Sequence, residues 1–224
     1  MGNLLTYLQG KLISILYISL ALIISLPAHE IAHAYTAYKL GDPTAKNLGR
    51  LSLNPLKHLD PIGTICLLLF QFGWAKPVPI DPRNFKNRKG GIAVTALSGP
   101  LANLILAFIA IVLQYILAIF SFNINQAVLY TVLRFLSYFS FINIGLCLFN
   151  LIPVPPLDGS NILIFFLPDS VGEFFNRYGM YFQIILLFLL FTPIITNPLT
   201  TLVNNVYNNL SSIAGLIFRT FIGS

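Results

Sequence analysis

The sequence predicts an all-α protein that crosses a membrane several times. Of its 224 residues, 56% are hydrophobic and only 9% are charged, whereas about 25% of the residues of a soluble domain are charged. Uncharged stretches occupy residues 12–28, 92–133, 135–157 and 178–218, and a helix needs about 20 apolar residues to cross a bilayer. These observations exclude a soluble globular protein and a disordered one.

Apolar length and spacing define the expected elements. The apolar segment 62–72 is only 11 residues long, which is too short to cross and predicts a short re-entrant or half-spanning segment. In the tail, residues 199–217 place apolar side chains at helical spacing opposite Asn, Thr and Ser, which predicts a C-terminal amphipathic helix. We expect about four long transmembrane helices, at about residues 12–38, 92–120, 128–152 and 178–195.

The basic residues are concentrated in one loop. Nine of the 13 Lys and Arg residues lie between Lys39 and Lys89, without the interleaved aromatic residues or Gly-rich phosphate loop of a nucleic-acid site. If residues 62–72 do not cross, ten positive charges lie on one side and three on the other. The positive-inside rule then places this loop in the cytoplasm and the N-terminus outside.

Residues 29–33 read HEIAH. On a helix, His29 and His33 stand one turn apart on the same face, so both imidazoles can bind one zinc ion while Glu30 lies beside it. The alternative is an ordinary polar helix face. Ionisable residues within an apolar segment are costly and usually mark function, which favours the metal site. The two cysteines, Cys66 and Cys147, lie in apolar runs and indicate neither a disulfide framework nor a thiolate zinc site.

A catalytic zinc ion normally has three protein ligands and an open fourth position. Asp158 is the best candidate for the third ligand, because prolines end the preceding helix beside it and unwound backbone at membrane depth usually lines a cavity. If residues 62–72 do not cross, Asp158 also reaches the same side as the histidines. The alternative is an ordinary Asp-Gly turn. The other acidic residues are Glu30, which we assign as the base, and Asp42, Asp60, Asp81, Asp169 and Glu173, which lie in polar stretches.

Three further residues are candidates for substrate binding or for supporting the ligands. His58 could stabilise an oxyanion, orient a ligand or compete with Asp158 as third ligand, or it could be a loop histidine bonded to backbone. Asn150 could bind substrate backbone or cap its own helix. Asn103 could bond across helices, whereas Gly99 and Pro100 read as the start of the second long helix.

Taken together, these motifs resemble the site-2 proteases, a family of intramembrane zinc metalloproteases. The resemblance covers most of the chain and rests on HEIAH, LGD at 40–42, NPLKHLDPIG at 54–63, GWAKPVP at 73–79, SGPLAN at 98–103 and NLIPVPPLDG at 150–159.

The resemblance implies that His29, His33 and Asp158 hold one zinc ion per chain and that Glu30 is the catalytic base. The chain resembles a compact prokaryotic member of the cytoplasmic membrane, and no stretch between the spans is long enough for an inserted PDZ or CBS domain. The topology from the positive-inside rule places the active site toward the cytoplasm. We expect a single membrane-embedded domain over residues 1–224, with a catalytic core at about 12–165 and C-terminal helices at about 176–222.

The expected activity is hydrolysis of a peptide bond in or near a transmembrane segment. The partners would be a transmembrane protein or peptide substrate and the lipid bilayer, and no nucleic acid. A water on the zinc, activated by Glu30, would attack the peptide carbonyl. The alternatives are a catalytically inactive metal-binding relative of these proteases and a membrane metal transporter. The sequence does not specify the oligomeric state.

Overall fold

The computed structural model describes residues 2–63, 75–190 and 192–222, and all structural statements concern these residues. Within them no β-strand is present, apart from an isolated antiparallel bridge between Leu59 and Ala75. Short 3-10 turns occupy Pro55–Lys57, Pro82–Asn84 and Ser121–Asn123. The described α-helices are α1 (Gly2–Lys39), α2 (Thr44–Asn47), α3 (Arg88–Ile119), α4 (Gln126–Asn150), α5 (Asp158–Phe165), α6 (Asp169–Leu190) and α7 (Pro193–Ile222).

The predicted fold class is confirmed. Three helical stretches, Thr6–Lys39, Arg88–Ile119 and Gln126–Asn150, are long and apolar enough to cross a membrane. A fourth exists if Arg177–Leu190 and Pro193–Thr220, which meet at 75°, form one bent span. The bend falls inside the predicted span 178–195, so that span is not one straight helix. Pro193 has no backbone N–H and begins the second helix of the pair.

The structure does not describe most of the predicted re-entrant segment, and it corrects the predicted start of the second long helix. Most of the predicted re-entrant segment, residues 64–72, lies outside the described residues. The second long helix begins at Arg88 and not at Gly99, because the side chain of Asn87 caps it by accepting a hydrogen bond from the N–H of Gly90. Pro100 therefore lies inside α3. The single-domain boundary remains a prediction.

Helix α3 lies at the centre of the bundle and contacts α1, α4, α5 and α7. Its contact with α1 and α4 contains the buried residues Ala21, Ala110, Leu136 and Phe139. Small residues allow helix backbones to approach closely, which is how helices pack in a bilayer that provides no hydrophobic force between them. The close approach brings side chains of α1 within hydrogen-bond distance of α3.

The predicted amphipathic helix is the C-terminal part of α7. One face packs on α3 and α4, where the rings of Phe141 and Tyr207 stack with centroids 4.4 Å apart and the hydroxyl of Tyr115 donates to the carbonyl of Ser211. The opposite face exposes polar residues, including Asn204 and Asn208. Leu202, Ile213 and Ile217 of the predicted apolar face are exposed as well, so only part of that face packs on the bundle.

The loop between α1 and α3 is anchored by Asp42. Its carboxylate is fully buried and accepts hydrogen bonds from the N–H and hydroxyl of Thr44, the side-chain amide of Asn84 and the N–H of Asp81. Burial raises the pKa of Asp42, but these hydrogen bonds outweigh it and lower the pKa below the usual carboxyl value. The carboxylate ties the end of α1 to the segment that leads into α3.

Replacing Asp42 by Asn is expected to lower the free energy of unfolding by about 1–3 kcal/mol, because an amide nitrogen replaces an acceptor oxygen and leaves a buried donor unpaired. Since the folded pKa is lowered, the stabilisation is present above the unfolded pKa near 3.8 and is lost as the pH falls through the folded value. Chemical unfolding in detergent at several pH values measures both effects.

The matched control is Asp81→Asn, because Asp81 forms its ion pair with the exposed Arg83 and exposed pairs contribute little. Equal destabilisation by the two substitutions would show that Asp42 is not a special anchor.

Candidate metal centre

Two histidines of α1 form one side of the candidate metal centre. The Nε2 atoms of His29 and His33 lie 2.9 Å apart, and their rings are nearly perpendicular with centroids separated by 4.5 Å. Each residue is 7% exposed. The spacing of one helical turn therefore brings both imidazoles to the same point, as the HEIAH motif predicts.

Asp158, the first residue of α5, completes a triangle with them. Its Oδ2 atom lies 3.1 Å from Nε2 of His29 and 3.3 Å from Nε2 of His33. This oxygen is buried and has no hydrogen-bond partner. An unpaired buried carboxylate oxygen is costly, and a cation bound beside it would offset that cost.

The loop between α4 and α5 places Asp158. Helix α4 ends at Asn150, and Pro153, Pro155 and Pro156 prevent its continuation. Gly159 then packs against the main-chain carbonyls of Leu151 and Ile152, where a Cβ atom has no space. The glycine therefore allows the start of α5 to lie directly against the end of α4.

The hydrogen bonds of the two histidines favour metal binding. Nδ1 of His33 lies 2.7 Å from the main-chain carbonyl of Thr95, and Nδ1 of His29 lies 2.6 Å from Oδ1 of Asn103. Both partners are oxygen acceptors, so each Nδ1 carries the proton and each neutral ring presents an Nε2 lone pair. Two such lone pairs facing each other repel unless a cation lies between them and Asp158.

The geometry fits zinc. Zinc binds imidazole nitrogen and carboxylate oxygen at about 2.0–2.2 Å in a tetrahedral arrangement, which separates the ligand atoms by roughly 3.3 Å. The three separations are 2.9, 3.1 and 3.3 Å. Two histidines and one carboxylate are also a ligand set of catalytic zinc, in which the fourth position stays open. His29, His33 and Asp158 are therefore able to hold one zinc ion.

Glu30 lies beside the ligands in a cavity of about 560 Å³. Its Oε2 atom accepts a hydrogen bond of 2.9 Å from the N–H of Val78. Val78 belongs to residues 75–80, which we call the strap. The strap is held on the other side by the N–H of Lys76, which donates to the carbonyl of His58.

The remaining candidates separate into two groups. Asn150 lines the cavity and donates to the carbonyl of Leu146, and Asn103 contacts His29. His58 is fully buried in the loop, where Nε2 donates to the carbonyl of Ser52 at 2.8 Å. It does not line the cavity with the metal group. His58 is therefore placed as a loop histidine bonded to backbone, one of the roles that the sequence left open.

Asn161 and Gly99 are among the residues of the site that sequence reasoning missed. Asn161 of α5 lines the cavity, and no motif indicated it. Gly99 of α3 packs against both imidazoles: a Cβ atom there would lie 2.5 Å from Cε1 and Nε2 of His33 and 2.6 Å from Cε1 of His29. Its signal in the sequence was present but read differently, as part of a helix start.

Comparison with known proteins agrees with this site and fold. Residues 113–191 match the model of peptidase family M50. A protein of Bacillus subtilis provisionally named zinc metalloprotease YwhC is 39% identical over 206 residues, which are 92% of this chain and 94% of that protein. The Rip2 protein of Mycolicibacterium smegmatis, also provisionally named a zinc metalloprotease, is 32% identical over 63% of this chain and 53% of its own length. No solved structure matches.

These similarities establish the class of the protein. The chain belongs to peptidase family M50, the site-2 protease family, and the resemblance drawn from its motifs is confirmed. The matched region of the family model contains Asp158, whereas the similarity to the Bacillus protein extends over nearly the whole chain.

We expect Gly99→Ala to weaken zinc binding by about 10- to 100-fold, the range found when groups that support metal ligands are changed. The new methyl group must displace imidazoles that are held by their Nδ1 hydrogen bonds. Zinc affinity, measured by competition with a chromogenic chelator, tests this. In the control Gly145→Ala, the added Cβ contacts nothing within 4 Å, so wild-type affinity is expected. Wild-type affinity in Gly99→Ala would contradict the predicted steric constraint.

Proposed function

We propose that the protein is an intramembrane zinc metalloprotease that hydrolyses a peptide bond in or near a transmembrane segment of a membrane-protein substrate. The observation that carries the proposal is the convergence of His29, His33 and Asp158 beside Glu30 on one cavity. Membership of peptidase family M50 supports the reaction type.

The chemistry follows from the charges at the site. Bound zinc would supply Lewis acidity, which lowers the pKa of water toward ~7 and polarises a peptide carbonyl. Glu30 takes a proton from the attacking water and passes it to the departing amine nitrogen. The N–H of Val78 holds Oε2 of this carboxylate. Oε1, which forms no hydrogen bond among the described residues, is then available to accept the proton.

The site is proposed to lie within the bilayer near its cytoplasmic side. His29 precedes Lys39, the last residue of α1, by ten residues, or about 15 Å of helix. Its partner Asn103 follows Arg88, the first residue of α3, by 15 residues, or about 22 Å. Both basic ends flank the loop that the positive-inside rule assigns to the cytoplasm.

The substrate must be locally extended to react. The carbonyls of a helical transmembrane segment are already hydrogen-bonded, so the helix has to unwind before water can attack one of them. The strap lies outside the helices beside Glu30, and Ala75 at its start forms a β-bridge to Leu59, which supports pairing of this segment with an extended chain. We propose that the unwound substrate lies between the strap and the ligands.

Replacing Glu30 by Gln is expected to lower the rate of peptide cleavage by about 10²- to 10⁴-fold, the usual contribution of a general base, while bound zinc stays near one per chain. Cleavage of single-span peptides by purified protein in detergent and metal analysis of the same samples measure the two quantities. A zinc chelator is expected to abolish cleavage in the wild type.

The matched control is Glu173→Gln, because Glu173 is exposed on α6 and does not line the cavity. It should retain wild-type cleavage. If the wild type holds one zinc ion and no peptide of the panel is cleaved, a metal-binding protein without protease activity replaces the proposal. Cleavage by Glu30→Gln at the wild-type rate would remove Glu30 as the base.

The proposed orientation is testable by labelling single cysteines in cells with a membrane-impermeant maleimide. In a variant without the native cysteines, Phe122→Cys in the loop between α3 and α4 should react in intact cells. Lys86→Cys in the basic loop should react only after the cells are opened. Both positions are exposed. The reverse pattern would contradict a cytoplasmic location of the basic loop.

A further inference from the structure

A chain of hydrogen bonds continues behind His29 through all three long helices. Oδ1 of Asn103 faces His29, and Nδ2 of Asn103 donates to Oδ1 of Asn143 on α4 at 2.9 Å. Nδ2 of Asn143 donates to Oγ of Ser25 at 2.8 Å, and this hydroxyl donates to the carbonyl of Ala21 at 2.7 Å. The chain therefore begins and ends on α1.

This chain of hydrogen bonds is isolated from water. Ser25, Asn103 and Asn143 are fully buried, and they lie in the helices that are able to span the membrane. Buried polar groups in such surroundings are costly unless they are paired, and they commonly mark function. Asn143 is notable because α4 contributes no ligand to the metal group.

The direction of every hydrogen bond in the chain is determined by main-chain carbonyls. Nδ2 of Asn143 also contacts the carbonyl of Phe139 at 2.9 Å, and a carbonyl can only accept. The amide nitrogen of Asn143 must therefore point to Phe139 and Ser25, and its oxygen must point to Asn103. The single hydrogen of Ser25 is already given to the carbonyl of Ala21, which requires the same arrangement.

The consequence reaches the metal centre. With the oxygen of Asn143 facing it, Asn103 must present its nitrogen to Asn143 and its own oxygen to His29. Nδ1 of His29 then carries the proton, and Nε2 keeps its lone pair. If the amide of Asn103 were reversed, its N–H₂ would face Nδ1 and favour the tautomer with a proton on Nε2, where the metal binds.

We propose that Asn143 is a positioning residue of the metal centre, which fixes the orientation of Asn103 and thereby the metal-binding tautomer of His29. The two histidines differ in this respect: His33 bonds directly to the carbonyl of Thr95, which cannot reverse, whereas the amide of Asn103 can. This inference rests on the metal site of the proposed function and is independent of peptide hydrolysis.

The test is a zinc titration of purified protein, together with thermal unfolding of the metal-free form. Asn143→Leu removes the acceptor that orients Asn103 and should weaken zinc binding by about 10- to 100-fold. The control is Ser140→Ala, which removes another fully buried polar group from α4. The hydroxyl of Ser140 donates to the carbonyl of Leu136 and takes no part in the hydrogen-bond chain behind His29. It should bind zinc as the wild type does.

Two further variants separate orientation from packing. Asn143→Asp keeps an acceptor oxygen toward Asn103 and should bind zinc within about threefold of the wild type, even if it unfolds at a lower temperature. In the double variant Asn143→Leu with Asn103→Asp, an ionised carboxylate faces His29 and can only accept, so zinc affinity should recover. Carboxylate–histidine–zinc arrangements of this kind are common.

The proposal is overturned if Asn143→Leu binds zinc like the wild type, or if Ser140→Ala weakens binding equally. Should Asn143→Leu fail to fold, a tenfold or greater loss in Asn143→Asp overturns it, whereas retained affinity supports it. Absence of zinc binding in the wild type would remove the metal site and this inference together. A wild type that binds zinc without cleaving peptides leaves the inference intact, so the two failures are distinguishable.

Discussion

The close contact of α1 with α3 at Gly99 is the constraint on which the metal centre depends. Because residue 99 has no Cβ, the two imidazoles of α1 lie directly against the backbone of α3. The same approach brings Nδ1 of His33 to the carbonyl of Thr95 and Nδ1 of His29 to Asn103. The absence of a side chain at Gly99 therefore determines both how closely the helices pack and which acceptors the two Nδ1 atoms reach.

The apolar surroundings explain why so few polar groups determine the site. In a bilayer each buried polar group must find a partner inside the protein. Nδ1 of each histidine, the amides of Asn103 and Asn143 and the hydroxyl of Ser25 all have partners. Oδ2 of Asp158 is left without a hydrogen bond at the point where the two Nε2 atoms converge. A cation bound at this point would pair with that oxygen and with the two Nε2 lone pairs.

The loop outside the bundle completes the site from the other side. Asp42 ties the end of α1 to the residues just beyond the strap, and His58 supports the strap through its carbonyl. The strap in turn gives its one available N–H between Pro77 and Pro79 to Glu30. His58 thus contributes to the site by holding the loop, although the sequence left a direct role in ligand binding open for it.

The sequence alone indicates the three helices that are long and apolar enough to cross a membrane and the pairing of His29 with His33, because apolar length and a spacing of four residues are local properties of one helix. Asp158 could be selected by elimination and by the side of the membrane it reaches. The roles of Gly99, Val78 and Asn143 required the tertiary structure. Helices that are apolar on nearly every face carry no signal for their rotation about their own axes, and that rotation decides which residues of α3, α4 and the strap meet α1.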